Sequence, residues 1–304
     1  MNAVLGFLKR DPHWPSILYE NGYRLTMIEQ PVSVPGVGNV EVDIICLNRT
    51  KNHALLWECK SGHTVAEQQA RVYAAVSATD VQRTGNVTFP HPQSATVEAI
   101  YCCLSEDSKT ISAALKELRL GIPIVSLGAK AELAFGQIKE TTLSKVFMAG
   151  VALPPLEDVP RFLLANTHTS KAELARLIFP TLVSLLRKQV DRISVRQILE
   201  ETFNEWACMG TDLRRHVSDT VKEILLDVCK NELKELTQMV RTSHSPQEFF
   251  IEFTAGLLGR DASARTRTFQ KFERLAYGFV ERLEKNRPFE PTKEPESGWL
   301  FPIS

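Results

Sequence analysis

The sequence has no excess charge of either sign: 36 Lys and Arg balance 36 Asp and Glu over 304 residues. That excludes the chain-wide basic field of a protein that grips nucleic acid with its whole surface, although a neutral sum leaves room for a local basic cleft. No two cysteines stand in a Cys-x-x-Cys pair, and the six (46, 59, 102, 103, 208, 229) follow no zinc spacing. Cys46, Cys59, Cys102 and Cys103 lie in apolar runs, where a free thiol acts as a small core residue. A reducing, cytoplasmic setting is therefore expected. No apolar run approaches the ~20 residues of a membrane span. The N-terminus puts its apolar patch before its basic residues, the reverse of a secretory signal. There is no repeat of fixed period and no low-complexity segment.

What is present is ordinary for a soluble globular protein, with 43% hydrophobic and 24% charged residues. The length suits about two domains at ~150 residues each. Residues 1–150 mix strand and helix patterns. The proline-rich VALPPLEDVP, 151–160, reads as a linker. Residues 161–288 are helix-periodic almost throughout, and 289–304 read as an extended tail. The expected fold class is α/β, a mixed sheet flanked by helices, followed by an all-α C-terminal domain.

Within the first part, DPHWPSILYENG reads as a capped helix ending at Gly22. YRLTMIEQPV alternates as a strand, with Tyr23, Leu25 and Met27 on one face and Glu29 next in that row. PGVGN, 35–39, is a turn. Val40 to Leu47 and His53 to Lys60 are strands joined by the polar loop NRTKN. A helix is predicted from about Thr64, its N-cap, to Thr79. Strands follow at 96–104 and 122–127, with a helix at 109–119 between them. The order is α-β-β-β-α-β, then a further helix and strand.

The stretch EVDIICLNRTKNHALLWECKSG places Asp43, Glu58 and Lys60 inside apolar strands. A strand carboxylate facing water, or a surface ion pair, needs one solvated face. VDIICL and ALLWECK are apolar on both. Across a short hairpin Asp43 and Glu58 become neighbours about 5 Å apart. Two such carboxylates repel unless a proton or a cation lies between them. Carboxylates with a backbone carbonyl suit Mg²⁺ or Mn²⁺, and the Cys59 carbonyl is the third donor in reach. Lys60 adds a positive charge that suits a developing phosphorane.

Asp43, fourteen intervening residues, then Glu58-Cys59-Lys60 resembles the motif of the PD-(D/E)xK nuclease superfamily, with Val42 in place of its proline. Gln69-Ala-Arg-Val-Tyr73 resembles the QxxxY element of that superfamily's recombination-exonuclease branch. The order of elements over residues 10–130 is similar to the superfamily's restriction-endonuclease-like core. The resemblance implies a metal-dependent nuclease or endonuclease with Mg²⁺ or Mn²⁺ as cofactor. DNA is the first polymer implied and RNA the second, in defence, restriction or repair. It makes Asp43, Glu58, Lys60, Gln69 and Tyr73 catalytic and Asp43, Glu58, Cys59 and Glu20 metal ligands, Glu20 as the extra acidic ligand on the first helix. His63 and Arg71 become contacts to nucleic acid. An ordinary helix–sheet contact remains open for Gln69 and Tyr73, and a capping or solvated role for Glu20. The alternative function is a scaffold that keeps the fold without the chemistry and binds nucleic acid or a partner protein.

In the helical part, RISVRQILEETFNEW, Gly210 and TDLRRHVSDTVKEILLDV outline a helix-turn-helix. Its basic residues (Arg187, Lys188, Arg192, Arg196, Arg214, Arg215, Arg265, Arg267, Lys271, Arg274) alternate with acids, as on the solvated face of a bundle. LKELTQMV and EILLDV suit a helix-pairing surface, for a homodimer or a partner. Pro180 is expected to kink or break its helix. Trp206, Phe249, Phe250, Phe253, Phe269, Phe272 and Phe279 recur at helical spacing, as core residues do.

Overall fold

The computed structural model describes residues 1–159, 163–188, 192–242, 245–253 and 262–285. The expected tail, 289–304, lies outside them, as do the side chains of Arg187, Phe253 and Arg265. The described residues form two units: Met1–Leu163 with Cys208–Gly210, and Leu164–Ala207 with the chain from Thr211 onward.

The first unit is α/β. Its elements are α1 (Asn2–Phe7), α2 (Ile17–Glu20), β1 (Arg24–Val34), β2 (Gly38–Asn48), β3 (His53–Cys59), α3 (Glu67–Ala75), α4 (Ala78–Arg83), β4 (Thr96–Leu104), α5 (Ser108–Glu117), β5 (Ile124–Leu127), β6 (Lys130–Phe135), α6 (Thr141–Ala149) and β7 (Val151–Ala152). The seven strands lie side by side in chain order. β1–β2–β3 is an antiparallel meander, β3, β4 and β5 are parallel, and β6 and β7 return antiparallel. The parallel steps need crossovers, which α3 with α4 and then α5 supply. The sheet therefore runs into the segment expected as linker, since β7 pairs with β6 there.

Several local expectations move. With Pro12 and Pro15 in place, only four residues of DPHWPSILYENG are helical. The helix expected from Thr64 begins at Glu67, with Ala66 as its N-cap. It ends at Ala75, and Ser77 starts α4 through a reciprocal capping box with Asp80. The β2–β3 loop closes on Asn52, whose φ of 51° is the left-handed conformation that Asn tolerates.

Strand alternation sorts the core into two layers. Trp57 points to the face where Phe147 of α6 lies 6.3 Å from it, with Phe7 of α1 beyond at 6.4 Å from Phe147. Leu56, Ala54, Ile45 and Leu47 point to the opposite face, in one cluster with Ala70, Val72 and Tyr73 of α3. β1 crosses from one layer to the other. A bulge between Leu25 and Met27 shifts its register on β2, from Leu25 opposite Cys46 to Met27 opposite Ile45. Tyr23 and Met27, expected on one face, therefore lie on opposite faces.

The second unit holds α7 (Lys171–Arg187), β8 (Arg192–Ser194), α8 (Val195–Thr202), α9 (Thr211–Lys230), β9 (Thr237–Thr242), β10 (Ser245–Phe253) and α10 (Ala262–Lys285). Its helices are as expected, and a three-stranded sheet in the order β8-β10-β9 adds to them. TQMV and PQEFFIEF, read as helix, are strands, because their aromatic and β-branched residues suit a pleated surface. α7 continues through Pro180. Eight residues, 203–210, separate α8 from α9, where a helix-turn-helix has three or four. Basic residues pair with acids, as Arg196 with Glu200 at 2.8 Å and Arg215 with Asp212 at 3.2 Å. Phe272 and Phe279 are buried core residues. Among the described residues no helix is long and apolar enough to cross a membrane.

The start of β3 carries a buried polar group. The Nδ1 of His53 lies 2.6 Å from the Tyr23 hydroxyl, and its Nε2 lies 4.0 Å from Glu98. Burial lowers the imidazole to about 4, with Lys51 and Lys139 acting the same way and Glu140 opposing them. The unfolded chain takes up this proton near pH 6.5 and the folded chain does not, so stability falls as pH drops from about 6.5 towards 4. The raised carboxyl of Glu98 opposes that slope. We expect His53→Gln to remove up to about 3 kcal/mol of the difference in unfolding free energy between pH 7 and pH 4. Urea melts of both proteins at each pH check this.

Candidate active site

β2 and β3 pair as far as Ile44 with Trp57 and then part. One step further the register brings Asp43 opposite Glu58. There a side chain replaces the ladder: the Cys59 amide donates to Asp43 Oδ2 at 2.6 Å. The amide and carbonyl of a strand residue project to the same edge, so the Cys59 carbonyl lies on Asp43's side. The Lys60 amide donates to the Cys102 carbonyl at 2.8 Å and carries the β3–β4 pairing past the strand's end.

Asp43 and Glu58 belong to the α3 face of the sheet, one step above the apolar row of Ile45 and Leu56. α3 lies over this face and presents Gln69 and Tyr73, four residues apart on one side. Glu58, 6% exposed, is met by three donors. Its Oε1 accepts from Lys60 Nζ at 2.7 Å and Gln69 Nε2 at 3.0 Å, and its Oε2 accepts from the Tyr73 hydroxyl at 2.6 Å. Gln69 Oε1 in turn accepts from Lys60 Nζ at 2.8 Å. The Tyr73 oxygen is also 3.1 Å from the Glu41 carbonyl, but its one proton belongs to the shorter contact. Tyr101, opposite Glu58 on β4, closes the far side, edge-on to Tyr73 with ring centroids 5.7 Å apart. The Lys60 ammonium lies 5.2 Å from the centre of the Tyr101 ring.

The electrostatics follow from this crowding. Burial, then the charge of Glu58, pushes the Asp43 carboxyl up to about 7, against the pull of the Cys59 amide, the Met1 amino terminus and Lys60. Burial and the charges of Glu58 and Asp43 hold Tyr73 protonated, as a donor. Burial raises the Cys59 thiol to about 12, which removes it as a nucleophile. A raised carboxyl beside a second carboxylate marks a pair short of positive charge. Two carboxylates and a carbonyl facing one gap are a donor set that fits Mg²⁺ or Mn²⁺. Among the described residues no three His, Cys, Asp or Glu side chains lie close enough together to hold an ion. A cation here would keep much of its water, as Mg²⁺ does.

Three residues named from the sequence lie elsewhere. Glu20 is exposed at the end of α2. Its neighbour Asn21 bonds Asn48 at the far end of β2, about 17 Å from Asp43 at ~3.3 Å per residue. Arg71 is exposed and pairs with Glu67 at 2.7 Å, half a turn of α3 away from Gln69 and Tyr73. His63 is exposed in the segment that follows Lys60. Two residues of the same rung were not named from sequence: Tyr101, and Glu29 of β1. A cavity of about 510 Å³ lined by Lys51, His53, Lys139 and Glu140 lies at the other end of β3 and shares no residue with this site.

A family model, the MJECL32 domain, matches residues 1–160, more than half of the chain. The chain belongs to the MJECL32 domain family. The match spans the whole sheet and every residue of the site. Comparison with curated proteins and with solved structures gave no match. The MJECL32 description names no activity, so the chemistry rests on the geometry above.

A carboxyl raised by folding stabilises the fold below its unfolded value near 3.8 and loses that contribution as pH rises through about 7. Asp43→Asn removes the charge and keeps an oxygen for the Cys59 amide. In EDTA we expect it to stabilise the protein at pH 8 by roughly 1–3 kcal/mol, with the gain vanishing near pH 4. Paired denaturant melts test this, and an equal effect at both pH values would contradict it.

Proposed function

We propose that this MJECL32 domain is a divalent-metal-dependent nuclease that hydrolyses phosphodiester bonds in DNA. The observation that carries this reading is the junction of Asp43, Glu58, Lys60, Gln69 and Tyr73 at one end of the sheet. A carboxylate pair short of positive charge meets a lysine held in place by a glutamine there. The resemblance to the PD-(D/E)xK pattern supports the same reading.

Asp43, Glu58 and the Cys59 carbonyl would hold Mg²⁺ or Mn²⁺. Such an ion, when bound, offsets phosphate charge and makes its water more acidic. The protein's own groups act around it. Gln69 and Tyr73 fix the Glu58 carboxylate against α3, so its oxygens stay aimed at the gap. Lys60, paired with Glu58 and Gln69, is a preorganised cation beside the carboxylates, suited to negative charge building on a phosphate. The apolar row beneath, Ile45 and Leu56, keeps water from the buried side and the local dielectric low. His63, exposed just past Lys60, is the residue named from sequence best placed to meet a polymer outside the gap.

Supercoiled plasmid, linear duplex and a single-stranded RNA, incubated with the full chain in Mg²⁺, Mn²⁺ or EDTA, test the proposal. DNA cleavage in either metal and none in EDTA is expected. Lys60→Ala and Asp43→Asn should each reduce the rate by about 100-fold or more, and Glu20→Gln and Arg71→Ala should leave it within about threefold. Cleavage of plasmid to nicked or linear circles separates endonuclease from exonuclease action. RNA cleavage alone would change the substrate. Binding without any cleavage would overturn the proposal in favour of a scaffold.

A further inference from the structure

Glu29 breaks three local rules at once. It has a φ of 49°, left-handed backbone that a Glu rarely adopts. It is 8% exposed, although it is a carboxylate. Its Oε2 is buried without a hydrogen-bond partner. Any one of these is unfavourable, and a chain that keeps all three at one residue points to a use for it.

Its position says which use. On either side of it Ile28 pairs with Ile44 and Gln30 with Val42, so Glu29 stands opposite Asp43. Met27, two residues earlier, packs in the α3-side cluster with Ile45 and Leu56. The bulge before Met27 is what brings this part of β1 to that face. Glu29, Asp43, Glu58 and Tyr101 thus form one rung across four strands, a polar row directly above an apolar one. After burial, the charges of Glu41 and Asp43 contribute most to raising the Glu29 carboxyl, to about 7. Nothing cationic is paired with it, whereas Glu58 has Lys60.

We propose that Glu29 is the third acidic group of the Asp43–Glu58 site, accepting hydrogen bonds from the water shell of the divalent cation held there. This rests on the metal-dependent reading of that site. An outer role is the one compatible with the spacing, since no three acidic side chains close round a point among the described residues. A strongly hydrated ion such as Mg²⁺ offers water to such an acceptor, and partners beyond the direct ligands orient a site and tune its affinity.

The test is Mn²⁺ binding to the full chain by titration calorimetry, independent of any cleavage assay. The set is wild type, Glu29→Gln, Asp43→Asn as the direct-ligand control and Glu20→Gln as the distant control. We expect Glu29→Gln to weaken Mn²⁺ binding about 10-fold or more, with Glu20→Gln unchanged. Glu29→Gln binding within threefold of wild type, while Asp43→Asn loses the ion, would overturn the role of Glu29 alone. No binding by wild type, or undiminished binding by Asp43→Asn, would overturn the metal-site reading and this inference with it. If Glu29→Gln unfolds, Glu29→Asn replaces it, because Asn tolerates left-handed backbone. Loss of cooperative unfolding in both variants would assign Glu29 to the fold and overturn the proposal.

Discussion

A carboxylate shut away from water has to be met by donors, and Glu58 is met by three: Lys60, Gln69 and Tyr73. Much of the first unit is arranged so that this can happen. α3 must cross the sheet at the height of Glu58, with Gln69 and Tyr73 turned down. The parallel step from β3 to β4 requires a crossover in that place. Tyr101 must stand opposite Glu58 to close its other side. Asp43 must bond the Cys59 amide where the β2–β3 ladder stops. Removing one donor from such a group leaves a buried charge partly unpaired, which costs more than the bond itself was worth.

The same rung opposes stability. Asp43 and Glu29 both have carboxyls raised to about 7, so as charged groups they weaken the fold at neutral pH. Their neighbours act in the opposite direction, because the apolar row of Met27, Ile45 and Leu56 fixes the strands whatever the rung above carries. Strain held in one row and stability supplied by the next is the arrangement expected where geometry serves binding or chemistry. The His53 group at the other end of β3 differs, since its imidazole is buried neutral and has the Tyr23 hydroxyl as partner.

Much of the site was legible in the residues. Asp43 and Glu58 inside strands apolar on both faces cannot be solvated, and the hairpin loop makes them neighbours. Gln69 and Tyr73 share a helix face by spacing alone. Glu20 was assigned through resemblance rather than through its own environment. Here α2 is four residues long and stands at the wrong end of β2. Arg71 follows Gln69 by two positions, which on a helix is the far side. In the second unit, PQEFFIEF and TQMV carry helical spacing and strand-forming residues together, and periodicity alone does not separate the two. Their pairing with each other and with β8 decided it.

What the sequence determined by itself is local: which strands are buried on both faces, where the hairpin turns, and that the charges between them need a common answer. What only the tertiary structure decided is the composition of the rung. Alternation along β1 puts Glu29 in a row with Tyr23 and Leu25, but a single extra residue between Leu25 and Met27 turns the rest of the strand over. That shift leaves Tyr23 with His53 on one face and carries Glu29 to Asp43 on the other. A bulge depends on how two strands pair, and pairing between separate segments is not written in the period of either one.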